Sequence, residues 1–244
     1  MTVLDTEYTF SLPMVTPTYD AAANGQLRLS ALLRWQQEIG ERQTKRYRMD
    51  WRALAEEGFA FVLARGCGLI HRLPEHGEEV TLQTWSDHIH GVQFFRGYRL
   101  LDAAGETLTE SMASFALVDV NTHRLCRPSA IDMHGLPTAV QETACPLPPA
   151  LKELPPLEAV GEWTVRHSSV DFNRHLNNTV YADLLCDFLP AAVRELPPKA
   201  YALQYVTEAR EGDTLTLYYG AAENDHFVEA RVGDTRIFVG RITV

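Results

Sequence analysis

Gly77-Glu78-Glu79-Val80-Thr81-Leu82 is echoed 135 residues later by Gly212-Asp213-Thr214-Leu215-Thr216-Leu217. Each stretch opens on a glycine and an acid and enters a strand-like run, Val80 to Trp85 in one case and Leu215 to Tyr219 in the other. Two further matches flank this one. Asp20 leads a helical stretch as Asp171 leads another, at an offset of 151, and Gly105-Glu106-Thr107 returns as Gly233-Asp234-Thr235 at an offset of 128. A single match would be coincidence. Three in the same order, with a shrinking offset, predict an internal duplication whose second copy has shorter connections.

Between the copies, Cys145 to Pro156 (CPLPPALKELPP) places five prolines in twelve residues and removes the donors that a helix or central strand needs. The expected organisation is a first domain over 1–130, a Pro-rich linker over 131–160 and a second domain over 161–244. In the first, a strand at Tyr8 to Val15 leads to a helix from Leu29 to Tyr47. Leu29, Leu32, Leu33, Gln36 and Ile39 give that helix one apolar face. Strands follow at Phe61 to Ile70, Val80 to Trp85, Phe94 to Leu101 and Leu108 to Val118. In the second, the pattern repeats: a strand at Glu162 to His167, a helix from Asn177 to Glu195, then strands at Ala200 to Thr207, Leu215 to Tyr219, Phe227 to Val232 and Ile237 to Thr243. One helix followed by a run of strands is an α+β signature. An antiparallel sheet curved around the helix hides its apolar face, and two such sheets side by side leave a long apolar slot for an extended ligand.

The composition of the 244 residues, 45% hydrophobic and 22% charged, excludes disordered, collagenous and coiled-coil chains. A net charge of -10 speaks against a general binder of nucleic acid or anionic membrane. No Lys or Arg precedes Arg28, so the start lacks the basic region of a secretory or transit signal, and no apolar run approaches a bilayer span. A cytoplasmic protein is expected. Cys67, Cys126, Cys145 and Cys186 show no metal-finger spacing and read as packed thiols, Cys186 within the second helix.

The stretch richest in chemistry is Ser168-Ser169-Val170-Asp171-Phe172-Asn173-Arg174-His175-Leu176-Asn177-Asn178-Thr179-Val180-Tyr181. Asp171, Asn173 and His175 alternate with Phe172 and Arg174, so in an extended loop the three polar groups share one side. Asn177 or Asn178 can cap the helix that follows, and the N–H groups at its start suit a carbonyl that becomes an oxyanion. The bland alternative is a polar turn rich in capping residues. The duplication supplies an internal control. Counted from the leading Asp, His175 corresponds to Asn24; counted from the shared Gly-acid pair, Glu208 corresponds to Leu73. Both proton-handling groups occur in one copy only, which predicts one active site, on the second copy.

Asp171-Phe172-Asn173-Arg174-His175-Leu176-Asn177-Asn178-Thr179-Val180-Tyr181 resembles the D-x-N-x-H-x-N-N-x-x-Y signature of the plant and bacterial acyl-(acyl carrier protein) thioesterases, which are tandem hotdog proteins. Weaker matches are Asp20 to Gly25, Gln37-Glu38, Thr84-Trp85 and Thr122-His123-Arg124-Leu125-Cys126-Arg127-Pro128. His123 stands where the family often has Arg. The resemblance implies a double hotdog fold and a hydrolase that releases free fatty acid from acyl carrier protein, ending chain elongation. It implies no cofactor and no metal, a partner in the acyl-phosphopantetheine carrier protein, and room for a homodimer. Its catalytic set, carried over, is Asp171, Asn173, His175 and Glu208. Ala209 stands where plant relatives often have Cys, so a cysteine nucleophile there is ruled out. The expected scheme has Glu208 and His175 activating a water, Asn173 positioning it, and the start of the second helix at Asn177 and Asn178 polarising the carbonyl. Asp171 either orients its neighbours or attacks the thioester itself.

Other candidates rank below these. His88 and His90 lie on one strand face but lack a third metal ligand. Gly40 to Arg52 holds five of the 22 basic residues, either a solvated helix end or a docking surface for an acidic carrier through Arg42, Lys45, Arg46 and Arg48. Competing functions are an acyl-CoA thioesterase and, from another class, a non-catalytic acyl-thioester sensor or carrier-binding module.

Overall fold

A computed structural model describes residues 6–244, and the chain divides between Leu147 and Pro148 into two compact units. In the first, β1 (Phe10–Val15) precedes α1 (Leu29–Lys45), whose Leu29, Leu32, Trp35, Gln36, Ile39 and Gln43 recur at three- and four-residue spacing and are buried. Arg48 then adopts a left-handed φ of 55° and stops the helix; a short α2 (Trp51–Glu56) follows, an element hidden in the sequence by the continuous charge of 40–52. The strands β2 (Phe59–Ile70), β3 (Glu79–His90), β4 (Gln93–Asp102) and β5 (Thr107–Asp119) complete the unit as an antiparallel sheet in the order β1-β3-β4-β5-β2.

Alternation divides the two faces of this sheet. Thr84, Tyr98 and Ser111 stand opposite one another in register, and α1 lies on their side, with Gln36 Nε2 donating to Ser111 Oγ at 2.9 Å and Arg96 donating to Gln43 Oε1. The neighbouring row, Trp85, Gly97, Met112 and Cys67, faces away. Its glycine is obligatory: a Cβ on Gly97 would fall 2.1 Å from Trp85 Cζ2. Across this second face runs the proline-flanked segment 138–147. Thr138 bridges to Ser86, Gln141 N–H points to Asp87 Oδ2, Arg99 donates to the Glu142 carbonyl, and Ala144 N–H donates to Glu110 Oε2 at 3.2 Å. This stretch, expected as part of a linker, is a strap that crosses β3, β4 and β5 in turn.

The second unit contains β6 (Glu158–Thr164), α3 (Val180–Asp187), α4 (Ala191–Arg194), β7 (Ala200–Tyr205), β8 (Thr214–Ala222), β9 (Asp225–Val232) and β10 (Thr235–Thr243). Its sheet order, β6-β8-β9-β10-β7, repeats that of the first unit strand for strand. The helix is shorter than the predicted 177–195, because Pro190, with ψ 143°, removes a donor and turns the chain after Leu189. The strand expected at Glu162 to His167 begins earlier and ends at Thr164, ahead of a 3-10 turn at His167–Ser169. Leu185 packs so closely on β10 that a Cβ at Gly240 would meet its Cδ2 at 2.7 Å. No helix among the described residues is long and apolar enough to cross a membrane.

The two units also correct the alignment of the copies. A 3-10 turn at Thr18–Asp20 matches that at His167–Ser169, and the bridge Ala21 to Leu27 matches Val170 to Leu176, an offset of 149 rather than 151. Asp20 therefore pairs with Ser169, not Asp171. Asp20 instead anchors the first helix: it is buried and accepts from Arg34 Nη2 at 2.9 Å and Trp35 Nε1 at 3.0 Å.

Candidate active site

The segment 171–174 is a tight turn rather than an extended run. Arg174 N–H donates to the Asp171 carbonyl at 2.9 Å, Asp171 N–H donates to the His175 carbonyl at 3.0 Å, and Arg174 has a φ of 64°. The alternation rule therefore does not set the side-chain directions here. Asp171 Oδ1 accepts the Asn173 N–H at 2.8 Å, an Asx turn that shapes the loop, while Asn173 sits exposed at its tip.

Beyond the turn the chain pairs with the approach to β8. His175 bridges to Arg210, and Leu176 N–H donates to the Ala209 carbonyl at 2.8 Å. This pairing sets the imidazole beside the residue preceding Ala209, and His175 Nε2 lies 3.0 Å from Glu208 Oε2. The His175 side chain is 25% exposed and Glu208 48%, so the pair is open to solvent on the carboxylate side. The same backbone pairing exists in the first unit, where Gln26 bridges to Glu75 and Leu27 N–H donates to the Pro74 carbonyl. In the corrected register Asp171, Asn173, His175 and Glu208 are equivalent to Ala22, Asn24, Gln26 and Leu73. The first unit thus keeps the scaffold and the turn-forming Asn but none of the three titratable groups, a sharper asymmetry than the sequence offsets implied.

Two tyrosines hold the site together and were not assigned a role from the sequence. Tyr205 O–H donates to the Asn178 carbonyl at 3.1 Å, tying the strand that leads to Glu208 to the segment after His175. Tyr181 stacks on Phe238 at 4.9 Å and meets Tyr205 edge-on at 5.8 Å. Burial pushes the hydroxyl pKa of both tyrosines up, so both stay neutral. The signal available beforehand was positional: Tyr181 closes the motif and Tyr205 stands three residues before Glu208.

At the start of α3, Asn177 Oδ1 accepts the Thr179 N–H at 2.9 Å and hydroxyl at 2.7 Å, while Val180 N–H donates to the Asn177 carbonyl at 3.0 Å. Asn177 is thus a turn former whose side-chain oxygen is already engaged. Ala209 is fully buried, and burial pushes the Cys186 thiol up to about 12, so neither position offers a reactive sulfur.

The remaining candidates lie in the first unit. His88 Nδ1 sits 2.6 Å from the buried Asp87 Oδ1 and its ring stacks on Phe95 at 4.5 Å. No group of three or more His, Cys, Asp or Glu side chains converges as metal ligands among the described residues. In the basic run, Arg42 pairs with Glu38 at 2.6 Å and Arg46 lies 4.0 Å over the Phe10 ring. Glu41 accepts the Trp51 N–H at 3.2 Å, and burial raises its pKa. Acids are interleaved with the bases, so the local charge is mixed.

Two copies of one helix-on-sheet unit, the second carrying the His175–Glu208 pair at positions where the first has Gln26 and Leu73, define a tandem hotdog protein. The sequence agrees with that class: residues 7–130 match the acyl-ACP thioesterase N-terminal domain and residues 157–235 match the acyl-ACP thioesterase C-terminal domain. The chain belongs to the acyl-ACP thioesterase family, and is a thioester hydrolase of fatty acyl-acyl carrier protein. Among solved structures, an acyl-ACP thioesterase from Bacteroides thetaiotaomicron superposes with a TM-score of 0.87 at 19% identity, over 96% of this chain and 97% of that one. The 12:0-ACP thioesterase from Umbellularia californica gives 0.86 at 18% identity, over 98% of each chain. No curated protein sequence matches the chain significantly.

Proposed function

We propose that hydrolysis takes place in the second unit, with the His175–Glu208 pair activating a water for attack on the thioester carbonyl. The observation that supports it is the 3.0 Å contact between His175 Nε2 and Glu208 Oε2, set against Gln26 and Leu73 on the same scaffold in the first unit. Such a pair removes a proton from water as the oxygen attacks. The leaving thiol, with a pKa near 8.5, departs with little help from an acid. Asn178, whose carbonyl is anchored by Tyr205, is the donor proposed for the developing oxyanion, with Asn177 shaping the turn that presents it. Asp171 and Asn173 form the turn that carries His175; in this reading Asp171 orients, and Asn173 at the exposed tip meets the incoming carrier arm or the attacking water.

The first unit, which extends past the expected 130 to Leu147, is assigned to acyl-chain binding, and the second, from Pro148 rather than 161, to chemistry. Carrier docking is assigned to Lys45, Arg46 and Arg48, with Arg42 contributing less because Glu38 already pairs with it. The test is steady-state hydrolysis of a series of acyl chain lengths on acyl carrier protein and on coenzyme A. Purified His175→Ala should remain folded and lose about 10²-fold or more of its turnover on carrier-bound substrate. Near-normal turnover would overturn the site, and equal efficiency on both carriers would overturn a docking role for the basic run.

A further inference from the structure

The strap over 138–147 ends on a pair of sulfurs. Cys145 Sγ lies 3.8 Å from Cys67 Sγ, across 78 residues of sequence, and Cys67 Sγ is 3.2 Å from the Pro146 carbonyl. Cys67 belongs to β2, the last strand of the first unit's sheet, in the row that begins at Trp85. The strap's own hydrogen bonds reach β3, β4 and β5; the two thiols are its contact with β2. Both residues are buried, and Cys145 also lines a cavity of about 420 Å³ with Asp87, His88, Met112 and Leu147, large enough to admit a small solute beside it.

We propose that Cys67 and Cys145 are a modification site, at which hydrogen peroxide forms an intramolecular disulfide that fastens the strap to β2. A disulfide requires the sulfurs to close to about 2.0 Å, a movement of about 1 Å for each, within reach of a small rotation of the two side chains. The Cys145 sulfur attacks one peroxide oxygen, the O–O bond breaks, and one water leaves with the thiol proton, giving a sulfenic acid. The Cys67 sulfur then attacks that sulfur, the S–O bond breaks, and a second water departs. Two electrons pass from the thiols to the peroxide. The neighbouring Cys67 sulfur and burial both hold the Cys145 thiol protonated, so the reaction is slow and calls for excess oxidant. Closing so long a loop restricts the unfolded chain, and the oxidised protein is expected to melt several degrees higher.

The proposal is independent of the His175 assignment and is tested on the intact chain by mass spectrometry after peroxide treatment, denaturation and alkylation. The expected result is a loss of about 2 Da, alkylation of two of the four cysteines, and one cross-linked peptide pair joining Cys67 to Cys145. Dithiothreitol should restore all four thiols, and neither Cys67→Ser nor Cys145→Ser should lose the mass. An unchanged mass, a cross-link through Cys126 or Cys186, or oxidation that stops at sulfinic acid would overturn it.

Discussion

Replacing Glu208 by Gln tests the site with the least disturbance of its surroundings. The amide keeps the shape of the carboxylate and can still accept a hydrogen bond from His175 Nε2, which now lies 3.0 Å from the carboxylate. What disappears is a negative charge beside an imidazole that must take up a proton. Loss of general-base assistance removes about 10²- to 10⁴-fold in rate, equivalent to about 2.7–5.4 kcal/mol of transition-state stabilisation at 1.36 kcal/mol per decade. The effect on folding should be far smaller. Glu208 is 48% exposed, and a solvent-screened pair of this kind contributes about 0–1 kcal/mol, a shift of no more than about 4 °C in melting temperature for a chain of this size. The two readouts therefore separate. Hydrolysis of acyl carrier protein thioester, followed by thiol release, should fall at least a hundredfold in kcat/KM while the thermal midpoint stays close to that of the wild type. The matched control is Gln26→Ala, at the position of His175 in the first unit, which should stay within about twofold of wild-type turnover. If Glu208→Gln retains kcat/KM within about threefold, or if its loss merely follows the loss of folded protein, the pair is not the catalytic base.

Tyr205→Phe removes the hydroxyl that holds the Asn178 carbonyl at 3.1 Å; it should cost about 0.5–1.5 kcal/mol in chemical denaturation and lower kcat more than it raises KM. Gly97→Ala places a methyl 2.1 Å from the buried Trp85 ring, so overpacking of about 1–3 kcal/mol or more should appear as a lower denaturation midpoint, whereas equal stability would show that the indole moves aside. Glu78 is held below its ordinary pKa of 4.5, chiefly by its hydrogen bonds with Arg72. A depressed carboxylate stabilises the fold above its unfolded pKa and loses that contribution as pH falls through the folded value. The gap in melting temperature between wild type and Glu78→Gln should therefore be widest above pH 4.5 and close below it.

Much of this protein was legible in its residues because the information was local or repeated. Gly77 and Gly212 mark equivalent strand entries, and both adopt positive φ, 81° and 92°, where a side chain would be strained. The turn residues around them exposed the duplication, and the periodic apolar face of Leu29 to Lys45 exposed the helix. His175 and Glu208 could be picked out for a related reason: comparing two copies of one scaffold shows which residues folding alone does not require.

Features that depend on how the chain closes on itself lay outside that reach. The register of the copies was two residues off at the loop, because Asp20 and Asp171 are the same residue type in different settings, one paired with Arg34 and Trp35, the other shaping a turn. Alternation suggested that Asp171, Asn173 and His175 share a face, whereas Arg174 at positive φ breaks the period. The 138–147 strap looked like linker because its polar groups are satisfied by side chains of distant strands, and its thiol pair joins residues 78 apart. Sequence thus determined most of the elements and their duplication, and it singled out His175 and Glu208 as candidates. Only the tertiary structure decided which carboxylate meets the imidazole, which tyrosines hold them there and which two cysteines face each other, since long-range hydrogen bonds and packing carry no signal in local spacing.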